Sequence, residues 1–360
     1  MVRVAHRSYR AGMRALRLPA WRSAPQLVEL PVPEPGPGQV LVRIGGAGAC
    51  HSDLHLMNDF GAGSLPFSPP FTLGHENAGW VESFGEGVST VREGEAVAVY
   101  GPWGCGRCGS CSAGAETYCE DPSSSYSPFG GGGLGVDGGM ADFMLVPHER
   151  LLVPLPTNLP PESAAPLTDA GLTSHHAVRR SWPKLVPGST AVVIGCGGLG
   201  HMAVQLLRAT TAARVVAVDS IEEHVVLARS LGADAGLVAG PGNAEAVRKM
   251  THGRGADVVI DFVGADDTIA SALAMVRTMG DVTLVGLGGG THAWGFFSQP
   301  YEVCLTTTYW GTRPELVEVL DLAARGLVHA EHTVYPLAEA EKAYEDMRLG
   351  KVRGRAVVVP

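Results

Sequence analysis

A glycine-rich turn between an apolar run and a helix-like stretch constrains the fold of this 360-residue chain more than any other feature. The turn 195–200 reads G-x-G-x-x-G and directly follows the apolar run 191–194. Its first glycine allows a tight turn, its second lets the backbone approach a pyrophosphate, and its third lets helix and strand pack closely. The helix N-terminus then faces the anion. The predicted cofactor-binding residues of this turn are Gly195, Gly197, Gly198, Leu199 and Gly200.

An acidic residue at the end of the next apolar run indicates which dinucleotide the turn binds. The run 215–218 ends at Asp219, which follows Gly200 by about 20 positions. A carboxylate there accepts hydrogen bonds from ribose hydroxyls and repels a 2′-phosphate, and no arginine follows at 220–223. The sequence therefore predicts NAD(H) rather than NADP(H). The alternative is a glycine-rich turn beside an ordinary surface aspartate.

From about residue 186, apolar runs alternate with helix-like stretches, which predicts a parallel sheet with helices on both faces. Upstream, residues 27–153 are typical of short β segments separated by Pro/Gly loops, and we expect 130–135 to be a flexible loop. The C-terminal part contains two helical segments and an apolar strand, at 314–325, 339–348 and 356–359. We therefore predict an α/β protein with a mostly β N-terminal domain, a doubly wound middle domain and a C-terminal return.

Charge and hydropathy disfavour two classes of partner. The chain carries 27 basic and 36 acidic residues, and a net charge of −9 argues against nucleic acid. No apolar run reaches the roughly 18 residues that a membrane helix needs, so we expect no membrane partner. Residues 1–12 contain arginines, no acid and no apolar core. We expect them to be a disordered extension, with a transit peptide as the alternative, and not a secretory signal.

Four of the seven cysteines follow the spacing C-x2-C-x2-C-x7-C. Thiolates at this spacing wrap one tetrahedral Zn²⁺, and four protein ligands leave no position for water, so the predicted metal is structural. A disulfide framework and an iron–sulfur cluster are the alternatives, and the odd cysteine count disfavours the first. The predicted ligands are Cys105, Cys108, Cys111 and Cys119.

Cys50 and His75 are candidates for a second metal site. They stand 25 positions apart, too far for a small zinc finger. A site assembled from distant segments is typical of a metal with an open position for substrate. By spacing alone, a buried cysteine and a core histidine are equally good interpretations.

Two further residues are candidates for the dinucleotide site. Gly286 ends the apolar run 282–285, where a nicotinamide ring would pass, and Arg355 could reach a pyrophosphate. A plain strand-end turn and an exposed charge are the respective alternatives.

These motifs together resemble the zinc-containing alcohol dehydrogenases of the medium-chain dehydrogenase/reductase superfamily. The resemblance covers about residues 13–360 and rests on four stretches: GHE-x2-G-x5-G-x2-V from Gly74 to Val88, the CHSD sequence at 50–53, the four cysteines and the glycine turn. The stretches 167–174 and 309–313 are similar to those of bacterial NAD-dependent secondary alcohol dehydrogenases, or carbonyl reductases.

The resemblance implies the ligands of a catalytic zinc. Cys50 and His75 match two of them, and Asp169 matches the third, where family members often carry cysteine. Glu76 is implied to bind zinc when no substrate is present, or to lie just outside the ligands. Asp53 is implied to orient His75 through its other ring nitrogen.

The resemblance also implies the chemistry. Zinc polarises the oxygen of an alcohol or ketone, Ser52 and His55 relay the proton to solvent, and hydride passes between the substrate and NAD(H). Tyr309 and Trp310 are implied to wall a pocket for secondary alcohols and hydrophobic ketones, especially aryl ketones, with core or interface packing as the alternative for both. The alternatives are a polyol or other primary-alcohol dehydrogenase of the same family and a non-catalytic NAD- and zinc-binding protein.

Domain boundaries and surroundings follow from the same resemblance. We expect a GroES-like β-rich catalytic domain from 13–168 and 313–360, with a structural zinc lobe at 104–120, and a Rossmann NAD-binding domain at 169–312. Two zinc ions per chain are implied. We expect a small-molecule substrate, a homo-oligomer with a tetramer favoured over a dimer, and a cytoplasmic location.

Overall fold

The computed structural model of the protein describes residues 12–121 and 130–360. Within these ranges the strands are β1 (Met13–Leu18), β2 (Gln26–Leu30), β3 (Val40–Ala49), β4 (Phe71–Thr72), β5 (Glu76–Phe84), β6 (Ala96–Val99), β7 (Gly131–Gly132), β8 (Gly135–Val136), β9 (Phe143–Val146), β10 (Leu152–Pro154), β11 (Thr190–Ile194), β12 (Arg214–Asp219), β13 (Ala235–Val238), β14 (Ala256–Asp261), β15 (Val276–Leu284), β16 (Cys304–Thr307), β17 (His332–Pro336) and β18 (Arg355–Val359). The α-helices are α1 (His51–Asn58), α2 (Gly109–Ser112), α3 (Pro161–Ala164), α4 (Ala170–Arg180), α5 (Gly200–Thr210), α6 (Glu222–Ser230), α7 (Asn243–Met250), α8 (Asp266–Met275), α9 (Arg313–Ala324) and α10 (Ala340–Arg348).

Six strands of the middle segment form a parallel sheet in the order β13-β12-β11-β14-β15-β16. All five residues of β11 are buried, because helices cover both faces of a parallel sheet and its strands are apolar throughout. The order reverses at β11, whose neighbours are β12 and β14. In open parallel sheets the carboxyl ends of the strands at such a point form the ligand-binding crevice. This is the doubly wound architecture that the alternating apolar runs predict.

A seven-stranded sheet joins strands of the N-terminal β region to the two C-terminal strands, while β2, β1 and β4 form a separate three-stranded sheet. The order of the seven-stranded sheet is β10-β6-β5-β3-β18-β17, with β9 also paired to β3. Strand β18 lies antiparallel to β3, so the C-terminus returns to the N-terminal β region. The predicted boundaries near 168 and 313 lie at the starts of α4 and α9, and these helices pack against each other.

The stretch predicted to be a flexible loop, 130–135, is instead ordered by β7 and β8, which pair in parallel. Glycine makes this possible because backbones approach closely there. A Cβ added at Gly131 would lie 2.1 Å from the carbonyl oxygen of Gly101. The run 130–135 therefore packs against neighbouring backbone segments. Its glycines are needed there because a side chain would not fit between the backbones.

The predicted N-terminal extension, 1–12, lies outside the described residues apart from Gly12. Among the helices that the structure describes, none combines the length and apolar character needed to cross a bilayer.

Candidate active site

Four donor side chains from three separate segments meet in the interior. One donor atom from each of Cys50, His75, Glu76 and Asp169 lies within 4.8 Å of the other three. Cys50 precedes α1, Glu76 opens β5 directly after His75, and Asp169 precedes α4. The first three are buried and Asp169 is half-buried. A thiolate, an imidazole and carboxylate oxygens are donors that zinc accepts, so this set fits the predicted metal.

The orientation of His75 is defined at both ring nitrogens. Its Nδ1 lies 3.3 Å from Oδ1 of Asp53, and its Nε2 lies 3.6 Å from Oδ2 of Asp169. Asp53 is held in turn, because its Oδ2 accepts hydrogen bonds from the Cys50 backbone N–H at 3.0 Å and from the Tyr344 hydroxyl at 2.9 Å. A carboxylate at Nδ1 leaves Nε2 directed at the cluster, the arrangement of a metal-binding histidine.

Charges around the cluster favour the ionised forms of Cys50 and Asp169, whereas burial raises the pKa of Glu76 well above its usual range. Burial opposes ionisation of the Cys50 thiol, but Arg355 and His75 lower its pKa to about 7. Burial likewise opposes ionisation of Asp169, but its contacts with His75 lower its pKa to about 2. A large fraction of the thiol and nearly all of the carboxyl group are therefore anionic at neutral pH, which is the form that binds a metal.

Arg355 joins the donor cluster to the glycine turn. It is only 2% exposed and forms an ion pair with Glu76, whose Oε2 accepts from Nε at 3.3 Å. A Cβ added at Gly198 would lie 2.5 Å from Nη1 of Arg355. The sequence predicts that Arg355 contacts the pyrophosphate of the cofactor, and the family resemblance implies that Glu76 binds zinc or lies just outside its ligands. The structure pairs the two side chains with each other, between those two sites.

Ser52 and His55 occupy one face of α1, since residues three apart are neighbours on a helix. Oγ of Ser52 lies 3.4 Å from Nε2 of His75, at the donor cluster. Nδ1 of His55 lies 2.5 Å from Oδ2 of Asp59, and the His55 side chain is one-third exposed. The two predicted relay residues thus lie at the inner and outer ends of one helix face, and Asp59 is a partner that sequence reasoning missed.

Trp310 lies beside the donor cluster. Its ring centroid is 5.7 Å from that of His75, with the planes nearly perpendicular, and 5.7 Å from that of Tyr309. The indole N–H donates to the carbonyl of Thr168 at 3.0 Å, next to Asp169. Trp310 is buried and Tyr309 half-buried, so the two predicted wall residues are brought to the metal donors.

The glycine turn lies at the carboxyl end of β11, as predicted. Gly195 has φ +81°, a conformation that favours glycine, and a Cβ at Gly200 would lie 1.8 Å from the Gly195 carbonyl oxygen. Asp219 ends β12 beside the turn, and its Oδ2 accepts from the backbone N–H of Cys196 at 2.6 Å. A Cβ at Gly286 would clash with the backbone that follows β14, so the chain also approaches closely there.

A histidine that sequence reasoning missed lies beside Asp219. Nδ1 of His224 lies 3.3 Å from Oδ2 of Asp219, and this hydrogen bond raises the pKa of His224. The same ring lies 3.9 Å from the Cβ position of Gly197.

The predicted cofactor-binding residue Leu199 precedes α5, and its carbonyl accepts a hydrogen bond from the Ser174 hydroxyl at 2.9 Å.

The four predicted zinc thiols form a second cluster, in which the donor atoms of Cys105, Cys108, Cys111 and Cys119 all lie within 4.8 Å of one another. Sγ of Cys105 and Sγ of Cys111 are 3.9 Å apart, close to the separation of about 3.8 Å that a tetrahedral zinc with Zn–S bonds of about 2.3 Å imposes. All four cysteines are free of disulfides. Backbone N–H groups of Arg107 and Cys108 donate to Cys105 and lower its pKa to about 6.

Comparison with known proteins identifies the family. The profile described as "Alcohol dehydrogenase GroES-like domain" matches residues 36–157, and the profile described as "Zinc-binding dehydrogenase" matches residues 198–325. The chain belongs to the alcohol dehydrogenase family of the medium-chain dehydrogenase/reductase superfamily. The family and the predicted combination of a GroES-like domain with a Rossmann domain are thereby confirmed.

Relatives of this alcohol dehydrogenase cover nearly the whole chain. An NAD-dependent alcohol dehydrogenase of Sulfolobus acidocaldarius is 35% identical over 96% of this chain and 99% of its own length. A D-arabinose 1-dehydrogenase (NADP(+)) of Saccharolobus solfataricus is 34% identical over 91% of this chain and 92% of its own length.

Solved structures of two further proteins match the fold. The alcohol dehydrogenase of Aeropyrum pernix aligns with a TM-score of 0.88 at 36% identity, over 96% of this chain and 100% of that chain. The acetophenone reductase of Geotrichum candidum, solved in complex with NAD, aligns with a TM-score of 0.84 at 30% identity, over 97% of this chain and 98% of that chain.

Sequence reasoning missed two residues that hold side chains of the donor cluster, or their partners, in place. Tyr344 reaches Asp53 from the distant helix α10, and no spacing relates the two positions. Thr173 donates its hydroxyl to Oδ1 of Asp169 at 2.6 Å. It stands four residues after Asp169 at the start of a helix, so helical spacing is a signal that could have found it.

Proposed function

We propose that this alcohol dehydrogenase uses NAD(H) to interconvert secondary alcohols and ketones, with a preference for aryl and other hydrophobic ketones. The observation that carries the proposal is the 5.7 Å contact between the rings of Trp310 and His75, which places an aromatic surface beside the metal donors. Tyr309 extends this surface. An apolar wall binds hydrophobic substituents better than the hydroxyls of a polyol. The similarity to an acetophenone reductase supports the same substrate class.

We propose Cys50, His75 and Asp169 as ligands of a catalytic zinc, with Glu76 binding it in the absence of substrate. Zinc held there would polarise the substrate oxygen and lower the pKa of an alcohol, as it lowers that of water. The chain's own part is to favour the ionised forms of Cys50 and Asp169 and to keep the donors away from bulk solvent. Asp53 directs Nε2 of His75 into the cluster through its contact with Nδ1.

Ser52 is proposed to exchange the proton of the substrate hydroxyl. Its hydroxyl can accept and donate at once, and it stands at the donor cluster. His55 then passes the proton to solvent, oriented by Asp59. The crevice at the glycine turn would hold NAD(H), which would supply the hydride acceptor, NAD⁺, for alcohol oxidation and the hydride donor, NADH, for ketone reduction. Gly197, whose Cβ position meets only the His224 ring at 3.9 Å, is proposed to leave room for its pyrophosphate, while Gly195 and Gly200 form the tight turn. Arg355 and Gly286 are proposed to lie at the edges of the crevice.

NADH oxidation in the presence of a panel of ketones and aldehydes tests this function. We expect the highest kcat/KM with aryl methyl ketones, and loss of activity after dialysis against a chelator, with recovery on addition of zinc. Turnover of polyols or primary alcohols alone would reject the proposed substrate class. Full activity in a zinc-free preparation would reject the proposed metal.

A second candidate is oxidation of a polyol or sugar, favoured by the similarity to a D-arabinose 1-dehydrogenase. A second panel of pentoses, polyols and primary alcohols, assayed by reduction of NAD⁺, separates the two. Asp219 argues against the NADP⁺ that the name of this relative specifies, because its carboxylate repels a 2′-phosphate.

The replacement Asp219→Asn tests the proposed preference for NAD(H). Asparagine keeps one oxygen that can accept the hydrogen bond from the Cys196 backbone N–H. It loses the negative charge that strengthens the proposed hydrogen bonds from the ribose hydroxyls. We expect KM for NADH to rise about tenfold, the equivalent of one charge-assisted hydrogen bond, and NADPH to become a usable cofactor. The control is Asp234→Asn, whose carboxylate also accepts from a backbone N–H, that of Val215, but lies at the other end of β12. If Asp219→Asn leaves the ratio of kcat/KM with NADH to kcat/KM with NADPH unchanged, the assignment of Asp219 as the residue that selects NAD(H) is wrong.

The remaining predictions concern the whole protein. We propose two zinc ions per chain, a catalytic domain from 13–168 and 313–360, and a Rossmann domain at 169–312. We also propose a homo-oligomer, with a tetramer favoured, in a cytoplasmic setting that suits free cysteines. Strand β16 is an edge of the parallel sheet, and Phe296 and Phe297 stand exposed on the segment before it, features that mark interfaces. Sedimentation velocity measures the oligomeric state, and a monomer would reject this proposal.

A further inference from the structure

The four-cysteine cluster is joined to the chain segment that carries the aromatic wall. The turn 114–118 links Cys111 to Cys119, and it lies against residues 309–313. The backbone N–H of Arg313 donates to the carbonyl of Gly114 at 2.7 Å. A Cβ added at Gly114 would lie 2.7 Å from the ring of Pro314, so the two segments touch directly.

The strongest link is at the carbonyl oxygen of Gly311. It accepts a hydrogen bond from the hydroxyl of Thr117 at 2.9 Å and a second from the hydroxyl of Tyr100 at 2.7 Å. The two hydroxyl oxygens lie 3.4 Å from each other. A carbonyl oxygen has two lone pairs, so both are used and the peptide after Gly311 has one orientation.

This peptide follows a residue in an unusual conformation. Trp310 has φ +56°, in the left-handed region that bulky side chains adopt only when their surroundings impose it. From that backbone the indole reaches across to the carbonyl of Thr168 and onto the edge of His75. If the peptide at 311 turned, Trp310 could relax to φ < 0 and its ring would leave the donor cluster.

We propose that the four-cysteine lobe positions the substrate wall, and that Thr117 is the positioning residue through which it does so. The proposal rests on the proposed function, in which Trp310 lines the substrate site. Thr117 acts on Trp310 through the next residue, since its hydroxyl donates to the Gly311 carbonyl. It holds the Gly311 carbonyl, and the thiol cluster holds Thr117, because Cys119 stands two residues later.

Replacement of Thr117 by valine tests this role, because valine has the same shape and lacks the hydroxyl. Loss of one hydrogen bond of about 1 kcal/mol predicts a rise of about fivefold in KM for an aryl ketone, with kcat changed less than about twofold. Thr117→Ser keeps the hydroxyl and should restore the wild-type KM. The matched control is Thr210→Val in α5, which loses a hydroxyl-to-carbonyl bond of 2.7 Å far from Trp310 and should leave KM unchanged.

A spectroscopic readout separates this proposal from the proposed function. The near-ultraviolet circular dichroism spectrum should differ between wild type and Thr117→Val. This difference should vanish when Trp310→Phe is introduced into both proteins, because it arises from the altered position of the Trp310 ring. Tyr100→Phe removes the other hydroxyl at Gly311 and should produce the same change, so the test holds if the valine variant does not fold. A spectrum that stays unchanged, or a KM shift equal in Thr117→Val and Thr210→Val, overturns the positioning role. A changed spectrum in a protein that reduces no ketone supports the positioning role and rejects the proposed function.

Discussion

Replacing Cys50 with serine is expected to reduce turnover at least about a thousandfold while NADH binding stays measurable. The thiol lies in the buried donor cluster with a pKa lowered to about 7, and a serine hydroxyl in its place does not ionise near neutral pH. Loss of the metal removes several kcal/mol of charge stabilisation in the transition state, and each 1.36 kcal/mol is about tenfold in rate. The glycine turn holds the cofactor separately, so NADH should still bind.

Steady-state rates, zinc content and an NADH fluorescence titration measure the three parts of this expectation. Zinc content should fall from two ions to one per chain. Cys304→Ser is the control, because Cys304 is free, exposed and on the edge strand β16, away from both clusters. If Cys50→Ser retains turnover close to that of Cys304→Ser, the assignment of the catalytic centre is wrong.

Replacing Cys108 with serine is expected to act first on stability. Structural zinc in small peptides contributes about 10–16 kcal/mol of binding free energy, and this energy is available only to the folded lobe. Even partial loss of it should lower Tm by about 10 °C, since roughly 2 °C corresponds to 1 kcal/mol in a chain of this size. The variant should hold one zinc ion per chain and keep the Cys50 site loaded.

Calorimetry and metal analysis test this second expectation. Ser112→Ala is a control within the same lobe, because Ser112 is exposed on α2 and offers no thiol. It should keep two zinc ions and the wild-type Tm. Two zinc ions and an unchanged Tm in Cys108→Ser would show that the thiols hold no structural metal. Comparison of Cys50→Ser with Cys108→Ser separates loss of catalytic activity from loss of stability.

Features encoded within one short stretch could be predicted from the sequence. The turn at 195–200, Asp219 after the next strand and the four cysteines at 105–119 all depend on neighbours close in the chain, so spacing alone reports their geometry. The strands and helices that place them follow from the periodicity of apolar residues. The family then follows from the order in which these stretches occur.

Contacts between distant segments could not be predicted in this way. The ion pair of Arg355 with Glu76 joins the last strand to β5, and the hydrogen bond of Tyr344 with Asp53 joins α10 to α1. Any of several arginines or tyrosines could make such contacts, and no spacing singles these out. The loop expected at 130–135 was wrong for a related reason, because glycine-rich sequence is compatible with both a flexible loop and close packing of backbones.

The sequence by itself therefore determined the dinucleotide turn, the thiol cluster, the doubly wound sheet and the family. Only the tertiary structure decided which partners surround Cys50, His75 and Asp169, and that the lobe of the thiol cluster is linked to Trp310 through the Gly311 carbonyl. The physical reason is that spacing in the chain governs local backbone geometry, whereas a buried polar group takes its partner from whichever segment packing brings beside it. Trp310 illustrates the second case. Its indole N–H donates to the distant Thr168 carbonyl, and the hydroxyls of Tyr100 and Thr117 donate to the carbonyl of the next residue, Gly311.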